Sequence, residues 1–329
     1  MNLARRFRKG RSELNILRRY RQHLQSGVYL RTEPACWRKV GLRLPPSNLQ
    51  ESANFKTLAT IRLVPTYINR SSSDQGFEEI RIRNPRTVIL MSYSRAKVRK
   101  YSDVPIGEEY LKLRAQLAGV WPVVSLFSHA TEYLEEKMLF GLTLDQLPLH
   151  QRCILVASLI RKWSQFAVEI RPNLPVPDQA QWTPSSQQRL QSSGGQINVQ
   201  ERLNSWPHVA SHCDLIESNI IVSAGQPTLI DLDPRNVQMA PLWLDPLTLL
   251  LFDGGYRKPS CLQLFKSGVF DDLLAKLLQA SPTDIQQRER DLVIQHWIRM
   301  FARFSGWREP DLDHWISLHS QTFHDQAVG

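Results

Sequence analysis

The chain has 329 residues, 42% of them hydrophobic and 22% charged, which is ordinary for a globular protein and long enough for two domains. Its longest apolar run, Met239 to Phe252, is too short to span a bilayer and is interrupted by Asp245; four scattered cysteines form no C-x-x-C pair, which argues against a disulfide framework or a zinc site. The net charge of +10 is carried by residues 1–43, where twelve Lys/Arg meet Glu13 and Glu33, so the remaining chain is neutral and a nucleic-acid-binding body is not expected.

Residues 1–54 read as a basic N-terminal extension. Leu14, Leu17 and Leu24 give a weak helical stripe within it. Such a segment fits a helix on an anionic membrane surface, a solvated arm, or a helix docked on the body. No secretory signal is visible, and a cytoplasmic chain is the expectation, peripheral at the inner membrane surface only on the first of these three readings.

Residues 55–141 read as a β-rich lobe with one helix. Phe55–Val64, Phe77–Ile82, Thr87–Tyr93 and Ala96–Tyr101 are short segments with β-branched or aromatic content, separated by Ser71–Gly76 and by Asn84-Pro85-Arg86. Pro105 opens a helix through Leu117, with Tyr110, Leu113 and Leu117 on one face. Val120–Phe127 and Thr131–Met138 follow as strands, and Gly141 ends the second.

Residues 142–329 read as a helical lobe. Leu155, Leu159, Trp163 and Phe166 mark a helix over Gln151–Ile170. A Pro-, Ser- and Gln-rich insertion covers 171–206, and Asp245–Phe252, Leu262–Gln279, Ile285–Phe304 and Asp311–Phe323 are helical. Trp163, Trp243, Trp297, Trp307 and Trp315 sit in these patterns as core, and His150, His208, His319 and His324 lack metal-ligand spacing. The whole is an α+β arrangement of two lobes.

The chemistry concentrates within the second lobe, from His212 to Asp233. His212-Cys213-Asp214 is followed five residues after the Asp by Asn219. An apolar strand, Asn219–Val222, leads through Ser223–Pro227 to a second, Thr228–Ile230, ending on Asp231 and Asp233. A hairpin brings Asn219 and Asp231 together. One amide oxygen and one carboxylate suit Mg2+, which takes hard oxygen ligands and keeps waters. Asp214 suits the carboxylate that orients an attacking hydroxyl and accepts its proton. Glu217 and Ser218, inside the loop, are placed to meet substrate or solvent.

This stretch resembles the protein-kinase-like phosphotransferases, in particular the aminoglycoside phosphotransferase and choline kinase branch. That branch carries His-Gly-Asp-x-x-x-x-Asn and a later Ile-Asp, here His212-Cys213-Asp214 to Asn219 and Ile230-Asp231. Cys213 departs from the usual small or basic residue. The resemblance implies a bilobal kinase-like fold and an ATP- and Mg2+-dependent kinase, with GTP left open. The acceptor would be a hydroxyl of a small molecule or glycan. His212 and Asp214 are then the catalytic candidates, with Asn219 and Asp231 the metal ligands, and Asp245 ties the loop to the following helix.

The resemblance also requires a strand lysine on the phosphates, paired with a helix glutamate. Lys97 and Lys100 both qualify. Val98, two before Lys100, fits an adenine-packing residue and favours Lys100, whereas loop length favours Lys97, twelve residues before Glu109. Glu109 is preferred to Glu108 because it lies one turn before Leu113. Tyr133–Gly141 resembles the hinge, where the backbone of Lys137–Leu139, with Met138 at its centre, meets the base. No G-x-G-x-x-G exists, and Asn69–Gly76 is the candidate phosphate-covering loop. Only fourteen residues separate Asp231 from Asp245, without an Ala-Pro-Glu segment, which disfavours a protein kinase. The alternative from another class is a kinase-like nucleotide-binding protein with little catalysis.

Overall fold

Alternation of apolar and polar side chains along short strands builds the first half of the protein. In the computed structural model, which describes residues 13–25, 27–33, 35–39, 66–69, 76–82, 87–170, 198–252 and 268–305, the chain is α+β and divides into two compact units. One comprises Met1–Glu108 and Val124–Leu142, the other Glu109–Val123 and Thr143–Gly329.

The first unit opens with a short helix, α1 (residues 13–19). Eight strands follow: β1 (Gly27–Glu33), β2 (Cys36–Lys39), β3 (Thr66–Asn69), β4 (Glu79–Ile82), β5 (Val88–Ser92), β6 (Lys97–Tyr101), β7 (Leu126–Ala130) and β8 (Tyr133–Lys137). They form one sheet in the order β3-β1-β2-β4-β5-β6-β8-β7, antiparallel throughout. Tyr29, Trp37, Ile80, Ile82, Val88, Leu90 and Tyr101 form an apolar cluster with Ile16 and Leu17 of α1 and with Tyr20, Leu24 and Phe77. Register places Trp37 opposite Ile80 and Ile80 opposite Leu90, so one face of the sheet carries this core. Each large apolar side chain buried there contributes roughly 1.5–3 kcal/mol.

Residues 13–39, read in sequence as part of a basic extension, thus supply one cover helix and two strands of this unit. Their charge obscured the pattern because part of it is held in internal ion pairs. Arg31 Nη2 lies 2.7 Å from Glu13, and Arg38 Nε lies 2.6 Å from the fully buried Glu79. The expected strand Phe55–Val64, the loop residues 70–75 and the break at 84–86 lie outside the described residues.

The second unit begins with α2 (Glu108–Val120), whose buried face is Tyr110, Arg114, Leu117 and Val120. It continues with β9 (Leu142–Thr143), α3 (Leu149–Ile170), α4 (Val199–Asn204), β10 (His208–Ser211), β11 (Ile220–Ser223), β12 (Gln226–Leu229), β13 (Gln238–Pro241), α5 (Leu244–Leu251), α6 (Val269–Leu278) and α7 (Gln287–Ser305). Every residue of α5 is buried. Among the described residues Trp163, Trp243 and Trp297 are core, as expected, and with Trp206 they place their indole N–H groups on acceptors: Trp163 on Leu242 O, Trp206 on Leu277 O, Trp243 on Leu203 O and Trp297 on Thr248 Oγ1. Most of the insertion (171–197), residues 262–267 and the expected helix Asp311–Phe323, with Trp307 and Trp315, lie outside the described residues. No helix among the described residues is long and apolar enough to cross a membrane.

Strand β10 pairs with β13, His208 opposite Pro241 and Ser211 opposite Gln238. This two-stranded ribbon is not readable from the sequence, where both segments are short and flank a polar loop. It delivers the chain to His212 at one end and to α5 at the other.

Candidate active site

The β11–β12 hairpin sets the first relation. Ile220 lies opposite Leu229 and Ser223 opposite Gln226, and beyond the ladder the Ile230 N–H donates to Asn219 O at 2.9 Å. Asn219 and Asp231 are thereby brought to one end of the hairpin, as the sequence predicts. The turn is tighter than expected, two residues and not five. Ala224 and Gly225 both have positive φ, 49° and 78°, the signature of a type I′ turn. Pro227 belongs to β12, an edge strand of a three-stranded sheet ordered β12-β11-β9, where its missing N–H is tolerated.

Asp245, in the first turn of α5, fixes the loop before the hairpin. Its Oδ2 accepts from the backbone N–H of His212 at 2.7 Å and its Oδ1 from that of Cys213 at 2.9 Å. The Trp121 side chain also hydrogen-bonds it. Burial pushes the Asp245 pKa up, while His212 and the N–H donors act in the other direction. The tie between catalytic loop and following helix is therefore present, and Trp121, just past α2, is an anchor that sequence reasoning missed. An indole 124 residues before Asp245 gives no spacing signal.

Between these anchors the backbone is bent. Cys213 adopts φ 56° and is fully buried, and burial raises its thiol pKa strongly. The left-handed conformation at this position accounts physically for a glycine in the resembling motif. Asp214 follows, half-buried. The Asn219 Nδ2 donates to Asp214 O at 2.9 Å and to Asp214 Oδ2 at 3.2 Å. This orients the amide: with its nitrogen on two acceptors, Oδ1 is the atom left for a cation.

His212 is fully buried, and its Nε2 sits 3.0 Å from Ile230 O. A carbonyl partner makes Nε2 the protonated nitrogen, donating to the residue before Asp231. The imidazole thus holds the backbone just before Asp231 and lies away from solvent. Glu217, read in sequence as facing substrate or solvent, is buried and ion-paired with Arg152 of α3, whereas Ser218 is exposed. Glu217 lies within the loop's 3-10 turn, Glu217–Asn219, and fixes it to the helix.

Asp231 itself has φ 60°, an unusual conformation for a non-glycine residue and one that clusters at functional sites. Its neighbours hold it. The Leu232 carbonyl accepts from Tyr110 Oη at 2.7 Å, and the Asp233 N–H donates to Asp231 O at 2.7 Å. Burial raises the Asp233 pKa, but Arg235, at 2.7 Å, outweighs it and leaves that carboxyl below its ordinary value.

In the first unit, Lys97 and Lys100 face opposite sides of β6. Lys97 pairs with Glu135 at 2.8 Å, and Arg99 pairs with the same carboxylate at 2.9 Å. These side chains share the face of Tyr101 and the α1 core. Lys100 lies on the other face, 3.0 Å from Glu136. Met138 is buried and its backbone N–H donates to Ala96 O at 2.7 Å, while the Lys137 N–H donates to Ser125 O at 2.9 Å. The expected hinge thus has two of its three N–H groups engaged within the unit. Glu109 of α2 is exposed. The inward face of that helix runs through Tyr110 and Leu117, as expected, and through Arg114 in place of Leu113, because the buried Arg114 breaks the apolar pattern.

One amide oxygen and one carboxylate are a donor set that suits magnesium. Among the described residues no group of three or more His, Cys, Asp or Glu could hold an ion. Asn219 Oδ1 and the Asp231 carboxylate are the sequence-predicted oxygen ligands, and Mg2+ bound through one or two such groups would take its remaining ligands from phosphate and water.

No family model matches the sequence, and no curated protein sequence matches it. Solved structures with a related layout include an ADP-bound aminoglycoside phosphotransferase (11% identity, covering 73% of this chain and 91% of that one, TM-score 0.39). A choline/ethanolamine kinase family protein from Mesorhizobium loti matches at 13% identity over 80% of this chain and 94% of that one, TM-score 0.38. A glucosamine kinase matches at 13% identity over 92% and 95%, TM-score 0.37. Scores at this level carry no argument about activity. The functional reading rests on the loop, hairpin and anchors of the chain itself.

Proposed function

We propose that the chain is a phosphotransferase that moves the γ-phosphate of ATP, with Mg2+, to a hydroxyl of a small molecule or glycan. The observation that carries this reading is the position of Asn219. Its side chain holds the Asp214 carboxylate, and its backbone carbonyl holds Ile230, next to Asp231. One residue thereby links a base candidate to a metal-ligand candidate.

Asp214 orients the acceptor O–H and takes its proton as the oxygen attacks the γ-phosphorus. The bond to the β,γ-bridging oxygen breaks, and ADP leaves with the electron pair. Asn219 Oδ1 and Asp231 hold Mg2+, which supplies charge neutralisation on the phosphates. His212, Tyr110 and Asp245 hold the backbone that carries these groups. Lys100 is the phosphate lysine of choice, because Lys97 shares its face with Arg99, Glu135 and the α1 core.

The test is a panel of hydroxyl acceptors incubated with Mg·ATP, with phosphorylated product read by mass spectrometry. Asp214→Asn is expected to lower transfer about 10²–10⁴-fold, the usual contribution of a general base. Undiminished transfer by that variant removes the assignment.

A further inference from the structure

The strand lysine of this chain already has a carboxylate, and it comes from the adjacent strand. Lys100 Nζ lies 3.0 Å from Glu136 Oε2, with the lysine side chain 20% exposed and the glutamate 2%. The register explains the meeting. Val98 is opposite Glu136 and Lys100 opposite Leu134, so Lys100 and Glu136 are diagonal neighbours on one face of the β6–β8 ladder. The next pair of charges obeys the same rule on the opposite face, where Glu135 takes Lys97 and Arg99. Consecutive glutamates thus serve opposite faces, and Glu136 serves the face of Lys100. Glu109, by contrast, stands exposed on α2.

We propose that Glu136 is the positioning carboxylate that orients Lys100 on the nucleotide phosphates, in place of a helix glutamate. The inference rests on the phosphotransferase reading above. A lysine is a compact charge on a flexible four-carbon stem, and a buried acceptor fixes it. The ammonium has three N–H donors, so it can keep Glu136 and still donate to phosphate oxygens. The orientation of the lysine is then set within the sheet by two hydrogen-bonded strands. Glu136 also lies two residues before Met138, on the strand that leads into the expected base-binding segment.

Isothermal titration with Mg·ATP and, separately, with adenosine tests this. Glu136→Gln is expected to weaken Mg·ATP binding about tenfold or more and to leave adenosine binding unchanged, because only the phosphates meet Lys100. Should Glu136→Gln not fold, Lys100→Met and Lys100→Met/Glu136→Met are compared, since removing both partners leaves no buried charge unpaired. The two are expected to bind Mg·ATP equally, and further weakening in the double variant contradicts the inference. ATP binding left intact by Glu136→Gln, or adenosine binding lost with it, overturns this inference alone. Failure of the wild-type chain to bind Mg·ATP overturns the phosphotransferase reading and this inference together.

Discussion

At the scale of single residues, the site is held by buried polar contacts that fix backbone where the chain bends. Cys213 and Asp231 both have positive φ, and each is flanked by a hydrogen bond that pins it: Asp245 on the Cys213 N–H, Tyr110 on the Leu232 carbonyl. Asp245 is the most consequential of the supports. Asp245→Asn keeps the volume but turns an NH2 group toward a backbone N–H, leaving a buried donor without an acceptor. The expected loss is about 1–3 kcal/mol in thermal or urea unfolding, together with reduced nucleotide turnover. A variant as stable as wild type would mean that Asp245 does not anchor the loop. The motif residues Asp214, Asn219 and Asp231 were legible because their spacing and the hairpin between them are local. Tyr110, Trp121 and Arg152 were not. Their partners are 122 residues away for Tyr110 and 65 for Arg152, and nothing in their own neighbourhoods marks them.

At the scale of elements, the hairpin and the helix α2 teach opposite lessons. The strands of the hairpin were readable from apolar runs, but the turn was not, because Pro227 imitates a turn residue while sitting in an edge strand. The turn that forms places Ala224 at φ 49°, where an L-residue with a Cβ is strained. Ala224→Asn, which completes the favoured Asn-Gly pair, is expected to stabilise by about 0.5–1 kcal/mol. That corresponds to a rise in melting temperature of roughly 1–4 °C, measurable by calorimetry. A fall would show that the turn is not the one described. In α2 the length and the inward positions Tyr110 and Leu117 were legible, and the position read at Leu113 falls one residue later, at Arg114. Arg114 is buried with its Nη1 3.3 Å from Tyr110 Oη, so one inward position carries a charge that apolar periodicity scores as solvent. The inward reading of Leu113 made Glu109 look inward and left Glu136, a carboxylate in a strand of mixed charge, unconsidered.

At the scale of the whole molecule, charge misled most. The excess of +10 lies in residues 1–43, yet Arg31 and Arg38 are paired inside the first unit. Arg18, Arg19 and Arg21 are exposed on α1 and just after it, whereas Arg5, Arg6, Arg8, Lys9 and Arg11 fall in residues 1–12, which can be removed without α1 to test a contact with an anionic membrane. Removing those twelve residues is expected to abolish sedimentation with phosphatidylserine vesicles and to spare nucleotide binding. Unchanged sedimentation removes the proposal. Deleting all of 1–43 is uninformative, because α1, β1 and β2 go with it. The buried network on Glu79 makes a second global prediction. Burial raises the Glu79 pKa, but Arg81 and Arg38 outweigh it and hold the carboxyl below its ordinary 4.5. A depressed folded value gives stability that is complete above about pH 4.5 and is lost as pH falls toward that lower value. Melting curves from pH 7 to pH 3 should show a steep decline below pH 4.5. Glu79→Gln should lower stability at pH 7 by roughly 3–5 kcal/mol, since Arg38 is left buried without its ion pair, and should flatten the decline. An unchanged acid limb would contradict the role given to Glu79.

The loop from His212 to Asp233 is proposed to hold a nucleotide's metal beside a catalytic base, and the two functions are separable by one pair of variants. Mg·ATP binding and ATP turnover are measured side by side for the wild-type chain, Asp231→Asn and Asp214→Asn. The account predicts that Asp231→Asn loses Mg2+-dependent binding, and that Asp214→Asn keeps binding while turnover falls by about 10² or more. Binding indifferent to Asp231, or turnover indifferent to Asp214, would contradict it.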